Sequence, residues 1–402
     1  MLRNWIESQP FIPGSGECTV RPMNAVAGGP ALGRMPGLLL ALALTGAGCG
    51  VDKNKLAEPL PVDELPADLV LREMLDATTD SAYLNRRLNL RDHAAWQIVH
   101  GILAYEHDFI VADEQGRLVP ALQHLLDGGE MQGWILRPGI SLDDSGRRGV
   151  VAVLDAGSTI GQGHADQWIG YLADCNLPKD QIIKVGGQDY TLADMLRQVE
   201  WDVPMNETRE YSWTLMALTA YFPTDYEWTA SDGKVWTVPQ LLEIEVNHDL
   251  AASACGGTHR MSGIVMALNR HKQQGGALEG AWAAADGKVR ECRTLARQYQ
   301  NNDGSLSTRF FSGPGSSLEI KSSLHATGHT FEFLVMASDD QQVREEWLRR
   351  AAVNLCELLE ATSDVDLECG ALYHAIRGLT LYRERIFGSR PFPRERLLPA
   401  SR

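Results

Sequence analysis

The sequence has few aromatic residues and no closely spaced pair of cysteines. Phe, Trp and Tyr make up 7% of its 402 residues, and the seven cysteines are scattered without a CxxC pair. That spacing excludes a zinc ribbon and a thioredoxin-type redox motif. A glycine-rich phosphate-binding loop and a Ser-His-Asp order are also missing from the sequence. The function must therefore be inferred from the architecture and from the residues that the architecture brings together.

Positive charge is scarce as well. The 37 Lys and Arg residues are outnumbered by 52 Asp and Glu residues, which gives a formal net charge of −15. A strongly acidic surface repels phosphate backbones and anionic lipid headgroups. The composition therefore predicts no nucleic-acid partner and no electrostatic binding to a membrane.

A short apolar run near the N terminus has the features of an export signal. Residues 38–44 follow Arg34 and lead through small residues to Cys49. The run is too short to span a bilayer as a helix and fits the core of a signal peptide. Ala47 and Gly48 resemble the small-residue box of bacterial lipoprotein signals, in which the following cysteine is lipidated. Lipid attachment at Cys49 is the favoured interpretation, with plain secretion and a chance apolar N terminus as the alternatives.

The apolar run also divides the chain. Residues 1–49 form the predicted signal peptide or leader, and residues 50–66 a polar, proline-rich linker. Residues 67–388 form the folded body, and residues 389–402 a C-terminal tail. We predict an exported protein, either anchored in the cell envelope through its lipid or periplasmic.

A short unit recurs in the folded body: two extended segments around a tight turn, followed by an amphipathic helix. Each copy has glycine at the turn, where a positive φ is needed. Thr191 and Thr237 stand where a helix N-cap is expected. The copies are residues 110–126, 182–199 and 228–244, with a degenerate copy at 282–298.

More apolar helices alternate with these units. After a polar first turn they are nearly apolar on all sides, as buried helices are. They align on Gly101, Gly170, Ala217, Gly263, Glu332 and Gly378. The predicted ranges are 91–105, 163–174, 209–222, 256–270, 323–337 and 369–386.

Alternating outer and inner helices predict an all-α fold. We expect an α/α toroid of about six helical hairpins, with short β-hairpins on one rim. An open solenoid of helical hairpins is the alternative. Closure is favoured because six is a common closing number and no polar terminal cap is evident.

Two stretches resemble the superfamily of terpenoid cyclases and protein prenyltransferase β-subunits. QYQNNDGSLST (298–308) is similar to the glutamine, aspartate, glycine and serine element that ends outer helices in that superfamily. LYHAIRGLTLYRERIFG (372–388) is similar to the last inner helix of prenyltransferase β-subunits, which carries a tyrosine–histidine pair. The resemblance implies an α/α toroid.

The same resemblance implies that His374 is a zinc ligand, because it matches the histidine of that pair. The aspartate and cysteine that complete the family's zinc site have no counterpart in residues 307–315. We therefore predict no metal and no other cofactor, with His325, His329 and His374 as the residues to examine if zinc is bound. The acid motif of the cyclases is only approximated by residues 363–368.

Histidines are concentrated in the polar first turns of the predicted apolar helices. Six of the 11 histidines lie there, namely His93, His164, His259, His325, His329 and His374. In a toroid these turns open onto one end of the central cavity, and helix N termini present free N–H groups to it. The predicted catalytic or binding residues are His164, Tyr211, His259, Arg260, His325, His329 and His374. Capping or packing is the alternative role for each histidine.

Two cysteines precede glycines at predicted helix starts. A helix N terminus favours the thiolate, whereas burial favours the neutral thiol. Cys255 and Cys369 are therefore either thiols with a lowered pKa or small buried residues.

The ionisable mouth leaves several functional classes open. The favoured class is a protein that binds a polar or anionic ligand at the mouth of the toroid, with catalysis left open. The alternative is a lyase or hydrolase that cleaves polysaccharide with His, Tyr and Arg side chains. A prenyltransferase- or terpene cyclase-like enzyme ranks third, because cyclase cavities are lined with aromatic residues and this chain has few. The expected partners are a polysaccharide or other polar ligand, and a membrane reached through the lipid anchor.

Metabolic labelling with a palmitate analogue tests lipid attachment. The wild-type chain should be labelled and the Cys49→Ala variant should not, because the thiol of Cys49 carries the lipid. Equal labelling of the two chains, or an unprocessed protein in the cytosol, would contradict the prediction.

Overall fold

The computed structural model describes the backbone of Thr19–Val20 and then residues 66–397. Cys49 and the rest of the leader and linker lie outside the described residues, as do residues 398–402. Helix accounts for 54% and strand for 11% of the structure, so the chain is mostly helical, as the sequence predicts. None of the described helices combines the length and the apolar character that a membrane span requires.

The described part of the chain contains twelve α-helices. They are α1 Pro66–Asn85, α2 Ala95–Tyr105, α3 Ala121–Leu126, α4 Gln167–Asp174, α5 Leu192–Asp202, α6 Ser212–Tyr221, α7 Val238–Asn247, α8 Thr258–Gln273, α9 Gly280–Gln298, α10 Ile320–Ala337, α11 Glu346–Ala361 and α12 Cys369–Phe387. All six predicted apolar helices are confirmed. They are the even-numbered helices, which we call the apolar helices, and the odd-numbered ones are the flanking helices.

The strands pair into small antiparallel ribbons. They are β1 Thr19–Val20, β2 Ile110–Ala112, β3 Leu118–Pro120, β4 Leu136–Ser141, β5 Arg148–Ala152, β6 Ile182–Val185, β7 Gln188–Thr191, β8 Glu227–Thr229, β9 Val235–Thr237 and β10 Leu367–Glu368. The pairs are the hairpins β2–β3, β4–β5, β6–β7 and β8–β9, together with β1–β10, which joins distant parts of the chain.

Three of the predicted hairpin–helix units are confirmed. The hairpins β2–β3, β6–β7 and β8–β9 lead directly into α3, α5 and α7. Thr191 and Thr237 cap α5 and α7, as predicted. Their hydroxyl oxygens accept from the backbone nitrogens of Asp194 at 3.3 Å and Gln240 at 3.2 Å. These bonds satisfy N–H groups that the first helical turn leaves free.

The predicted fourth hairpin, within residues 282–298, is wrong. Helix α9 runs through this segment without a break. The three alanines after Trp282 are the strongest helix formers, and they outweigh the single Gly287 that the repeat placed at a turn. The hairpin β4–β5 was missed, because its glycine and proline sit inside a strand whose pairing shifts register between Pro138 and Ser141.

The apolar helices pack against one another in chain order. Helix α4 packs against α2 and α6, α8 packs against α6 and α10, and α12 packs against α10. The last apolar helix, α12, also packs against the first, α2, so the six contacts form a closed circuit. Flanking helices pack against their apolar neighbours, as α9 does against α8 and α10, and α11 against α10 and α12.

Glycine lets neighbouring apolar helices approach closely. A Cβ atom added to Gly263 of α8 would lie 2.6 Å from the Ser212 carbonyl oxygen of α6. One added to Gly378 of α12 would lie 3.2 Å from the Glu332 backbone nitrogen of α10. Both glycines belong to the set on which the repeated helices align, so the repeat marks positions of helix–helix contact.

Replacing Gly263 by alanine should destabilise the chain by about 1–3 kcal/mol, because the added methyl group forces α8 away from α6. Urea unfolding followed by far-UV circular dichroism measures the loss. Gly287→Ala is the matched control, since a Cβ atom there meets nothing within 4 Å in the described part of the chain. This control should stabilise by roughly 0.5–1 kcal/mol through helix propensity alone. Equal effects of the two substitutions would contradict the close contact.

Candidate functional site

Six histidine rings come together where the apolar helices meet. We call them the histidine cluster: His100, His164, His259, His325, His329 and His374. His100, His325 and His374 each lie five residues after the first residue of α2, α10 and α12. His329 follows one turn later on α10, His259 lies in the first turn of α8, and His164 precedes α4.

His329 lies at the centre of the histidine cluster. Its ring centroid is 4.0 Å from that of His374 and 4.4 Å from that of His325. The centroid of His259 is 5.5 Å from that of His329 and 5.7 Å from that of His374. Four of the predicted site residues are thus brought into mutual contact.

Three further rings complete the arrangement. The ring centroid of His164 is 5.4 Å from that of His259, and that of His100 is 5.4 Å from that of His374. Trp213 of α6 packs against both His164 and His259, with ring-centroid distances of 4.5 Å and 5.1 Å. Every apolar helix, or the segment directly before it, therefore contributes a ring.

Backbone hydrogen bonds fix the proton position in two of the histidines. Nδ1 of His329 lies 2.9 Å from the His325 carbonyl oxygen, and Nδ1 of His100 lies 2.6 Å from the Trp96 carbonyl oxygen. A carbonyl oxygen can only accept, so Nδ1 donates in both rings. The neutral ring then keeps its lone pair on Nε2.

Carboxylates do the same for two others. Nδ1 of His164 donates to Glu210 Oε2 at 2.8 Å, and Nδ1 of His374 donates to Glu332 Oε2 at 2.5 Å. An acceptor behind Nδ1 is the usual support of a histidine that uses Nε2 to bind a ligand. In four of the six histidines Nδ1 is thus engaged, which leaves Nε2 as the nitrogen available to a ligand.

Some ring nitrogens in the cluster are buried and unpaired. Both nitrogens of His259 and Nε2 of His374 have no hydrogen-bond partner among the described residues. Each such atom costs about 1–3 kcal/mol of stability, and native structures hold few of them. This arrangement suits the binding of a ligand better than it suits the stability of the fold.

Burial keeps much of the cluster neutral. It lowers the pKa of His100 to about 3, and it lowers the pKa of His259 and His329 well below the usual range. Burial also lowers the pKa of His325, to a smaller extent. Neighbouring histidines add to the effect, since each would repel a second positive charge.

A left-handed turn before α8 places Cys255 beside the cluster. The backbone φ is 49° at Cys255, 61° at Gly256 and 80° at Gly257. A Cβ atom at Gly256 would lie 2.2 Å from the Phe310 ring, and one at Gly257 would lie 2.6 Å from the Leu250 side chain. Glycine is therefore required at both positions, while Cys255 holds a conformation that is costly for a residue with a side chain.

The Cys255 sulfur is close to two of the histidines. Sγ and one ring nitrogen each from His259 and His329 all lie within 4.8 Å of one another. Burial raises the pKa of the Cys255 thiol to about 12, which favours the second of the two alternatives that the sequence left open, a small buried residue. Cys369, the other thiol considered, is fully buried in the first turn of α12.

His325 connects the cluster to a cavity, which we call the mouth cavity. Its volume is about 550 Å³, and the first turns of α10 and α12 and the segment before α10 line it. Its lining mixes apolar side chains with polar ones, which include Thr308, Ser316, Ser317, Lys321, Ser322 and Glu368. A ligand in this cavity would contact His325, whose ring touches the central His329.

Two of the predicted site residues support the fold instead. The Tyr211 hydroxyl donates to the Val203 carbonyl oxygen at 3.2 Å. Arg260 forms a buried ion pair with Glu245 at 2.6 Å, and its Nε donates to Ser253 Oγ at 2.8 Å. Glu245 also accepts from the Tyr211 backbone nitrogen at 2.6 Å. These bonds tie α7 to α6 and α8.

The sequence pattern pointed to the wrong histidine on the first apolar helix. Helix α2 begins at Ala95, so His93 lies before it, where its Nδ1 contacts the backbone of Asn89. His100 takes its place in the cluster. Glu332 was also missed, although an acidic residue at a position occupied by glycine in most of the other helices was the signal for it.

No protein-family model matches the chain, and neither does any curated protein or solved structure. Its function must be argued from the cluster and the mouth cavity. Neutral imidazoles can accept hydrogen bonds, take up a proton or bind a metal ion. Among the residues that the structure describes, Cys255, His259 and His329 form a set of side chains close enough together to hold a metal ion.

The pKa of His100 predicts a loss of stability in acid. The folded pKa of about 3 lies below the unfolded value of 6.5. Between these two pKa values His100 is protonated in the unfolded chain and neutral in the folded chain. The free energy of unfolding therefore falls as the pH drops below 6.5. This one residue accounts for about 2 kcal/mol between pH 7 and pH 5.

Urea unfolding of chelator-treated protein at both pH values measures this loss. The His100→Gln variant should lose about 2 kcal/mol less than wild type does over that interval. An equal loss in the two proteins would show that His100 is charged in the fold.

Proposed function

We propose that the chain is an α/α toroid that binds a polar ligand in the mouth cavity, with the histidine cluster as the floor of the site. The observation that carries this proposal is the junction at His325. There a cavity of about 550 Å³ reaches His325, whose ring contacts His329 and through it the unpaired ring nitrogens of His259 and His374 deeper in the cluster. Binding sites combine such a concave space with a few convergent polar groups.

The closed circuit of helix contacts supports the toroid. Each apolar helix packs against the next, and α12 returns to α2. In an open solenoid each repeat contacts only its neighbours, so the first and the last would stand apart.

The chemistry of the site favours a ligand rich in hydroxyl groups over a simple anion. Because burial keeps His325 and His329 neutral at pH 7, their rings contribute no positive charge to attract an anion. A neutral imidazole keeps one nitrogen that can accept a hydrogen bond. The serine and threonine hydroxyls of the mouth cavity can both donate and accept. Sugar units carry the matching groups, which makes an oligosaccharide the favoured ligand.

A scaffolding role fits the interior less well. A protein whose helices only need to pack would gain from leucine at the positions of His259 and His374, because three unpaired nitrogens would disappear. The glycine-rich turn at Cys255 adds a strained residue at the same place. Costs of this kind collect at sites that serve a function.

Polysaccharide cleavage is the second candidate. His164 is supported by Glu210 at 2.8 Å, and its side chain is 21% exposed, so it could move a proton through Nε2. Arg260 and Tyr211, the arginine and tyrosine that such an enzyme was predicted to use beside the histidines, are engaged in contacts within the fold. A cleavage mechanism would therefore depend on the histidines.

Export with lipid attachment at Cys49 completes the proposal. Its support is the apolar run and small-residue box of the leader. An anchor of this kind would place the mouth cavity outside the cytoplasm, where polysaccharides are abundant.

A thermal-shift screen tests the proposed function. Neutral and uronate-containing oligosaccharides are added to the full chain in the presence of a chelator. A ligand at 100 times its dissociation constant stabilises by about 2.7 kcal/mol, so a true ligand should raise the melting temperature by a few degrees. Uronates that act where neutral sugars fail would favour the anionic form of the ligand.

The His325→Ala variant should lose the shift, since His325 forms the junction between the cavity and the cluster. His124→Gln is the matched control, because His124 lies at the end of α3, outside the cluster. No shift with any sugar, or an undiminished shift in His325→Ala, would refute the proposed site.

A further inference from the structure

We infer that Cys255, His259 and His329 bind a transition-metal ion of the zinc class beneath the mouth cavity. This inference rests on the proposed function, since it places an ion in the floor of the same site. It reverses the expectation from the sequence that the chain holds no metal.

The spacing of the three donor atoms fits such an ion. They lie within 4.8 Å of one another. Zinc bonds of about 2.0–2.3 Å in a tetrahedron place ligand atoms roughly 3.3–3.8 Å apart. The difference is at most about 1.5 Å, which rotation about the side-chain bonds of the two histidines and the cysteine can supply.

The donors are directed at the site by their surroundings. His329 donates Nδ1–H to the His325 carbonyl oxygen, which leaves Nε2 as a lone pair. Both nitrogens of His259 are buried and unpaired in the described structure, so either can serve as the ligand atom. A histidine held through Nδ1 by an oxygen is the common arrangement in metal sites.

The turn at Cys255 gives the sulfur its place. Positive φ angles at Cys255, Gly256 and Gly257 make a tight turn just before α8. The two glycines allow this turn to pass close to Phe310 and Leu250. The reversal brings Sγ back over the first turn of that helix, next to His259. Within this turn the strained φ of 49° falls on Cys255, the residue whose sulfur joins the set of donors.

The donor set selects the metal. Imidazole and thiolate favour zinc and similar ions, whereas magnesium and calcium prefer oxygen ligands. Binding would convert the Cys255 thiol to a thiolate, with the S–H proton released to solvent as the metal–sulfur bond forms. Three protein ligands leave one tetrahedral position for water or for a group of the ligand in the mouth cavity.

This site differs from the one that the prenyltransferase resemblance implies. His374 would be a ligand there, together with an aspartate and a cysteine that this chain lacks. Here the His374 ring centroid lies 4.0 Å from that of His329, but no atom of His374 belongs to the set of donor atoms that lie within 4.8 Å of one another. His374 is therefore a neighbour of the proposed ion, and the sulfur comes from Cys255, before α8.

Metal titration of the full chain tests the inference. Wild-type protein is stripped with a chelator, loaded with Zn²⁺, desalted and analysed for elements, and a second sample is titrated with Co²⁺. We expect about one ion per chain, consistent with a three-ligand site. The Co²⁺ protein should show visible absorption of a tetrahedral ion and a near-ultraviolet band from a thiolate ligand.

Three variants assign the ligands. Cys255→Ser, His259→Gln and His329→Gln should each weaken metal binding at least about tenfold. Cys255→Ser should in addition abolish the thiolate band. Cys175→Ser and His124→Gln are the matched controls, since both residues lie outside the cluster. Melting of the stripped variants separates lost ligands from lost folding, and the wild-type Co²⁺ spectrum identifies the sulfur without any variant.

Retention of less than about 0.1 ion per chain would overturn the inference. So would a Co²⁺ spectrum without the thiolate band, or equal binding by wild type and the ligand variants. The sugar screen contains chelator and the metal titration contains no sugar, so each can fail alone. Zinc binding without any sugar shift would uphold this site and refute the proposed function, and the reverse result would do the opposite.

Discussion

At Gly263 and Gly378 neighbouring apolar helices come so close that a side chain would not fit between them. His259 and His374 lie four residues before these glycines, hence on the same helix faces and one turn nearer the N terminus. The close contact at Gly378 therefore brings His374 beside His329 of α10, and the one at Gly263 brings His259 beside Trp213 of α6. Proximity of the rings, their burial and their loss of positive charge all follow from this packing.

Along α10 and α12 a layer of buried histidines lies next to a layer of buried ion pairs. Around His329 the rings are kept neutral by burial. One turn further along, Glu332 of α10 accepts from His374 at 2.5 Å and forms an ion pair with Arg377 at 3.1 Å. Arg377 pairs in turn with Asp174 of α4. Buried ions are tolerated when each has a partner, so this layer satisfies its own charges, whereas ring nitrogens of His259 and His374 have no partner among the described residues.

The sequence predicted the helices well and the site in part, for physical reasons. Apolar periodicity found all six apolar helices, because burial on every side leaves a clear mark in composition. Histidines in first turns indicated His259, His325, His329 and His374 correctly as neighbours. His100 was missed because the start of α2 at Ala95 decides which histidine of this segment enters the cluster. Arg260 was predicted as a site residue because its ion-pair partner, Glu245, lies on another helix and leaves no mark in the local sequence. Contacts between distant segments leave no local pattern. The turn at Cys255 could not be predicted for the same reason. Its two glycines are required because Phe310 and Leu250 lie against them, and neither residue is adjacent to the turn in the sequence.

The return of α12 to α2 has a consequence for how the protein is made. Helix α1 also packs against α11 and α12, and Arg86 donates to the Val365 carbonyl oxygen, 279 residues away. A chain still emerging from a ribosome, or threading through an export channel, lacks the segment that completes its own beginning. The face of α2 that packs against α12 must then stay uncovered until residues 369–387 have been made. Contacts of such long sequence separation slow folding. The contact that closes the circuit of apolar helices is therefore among the last that the growing chain can form.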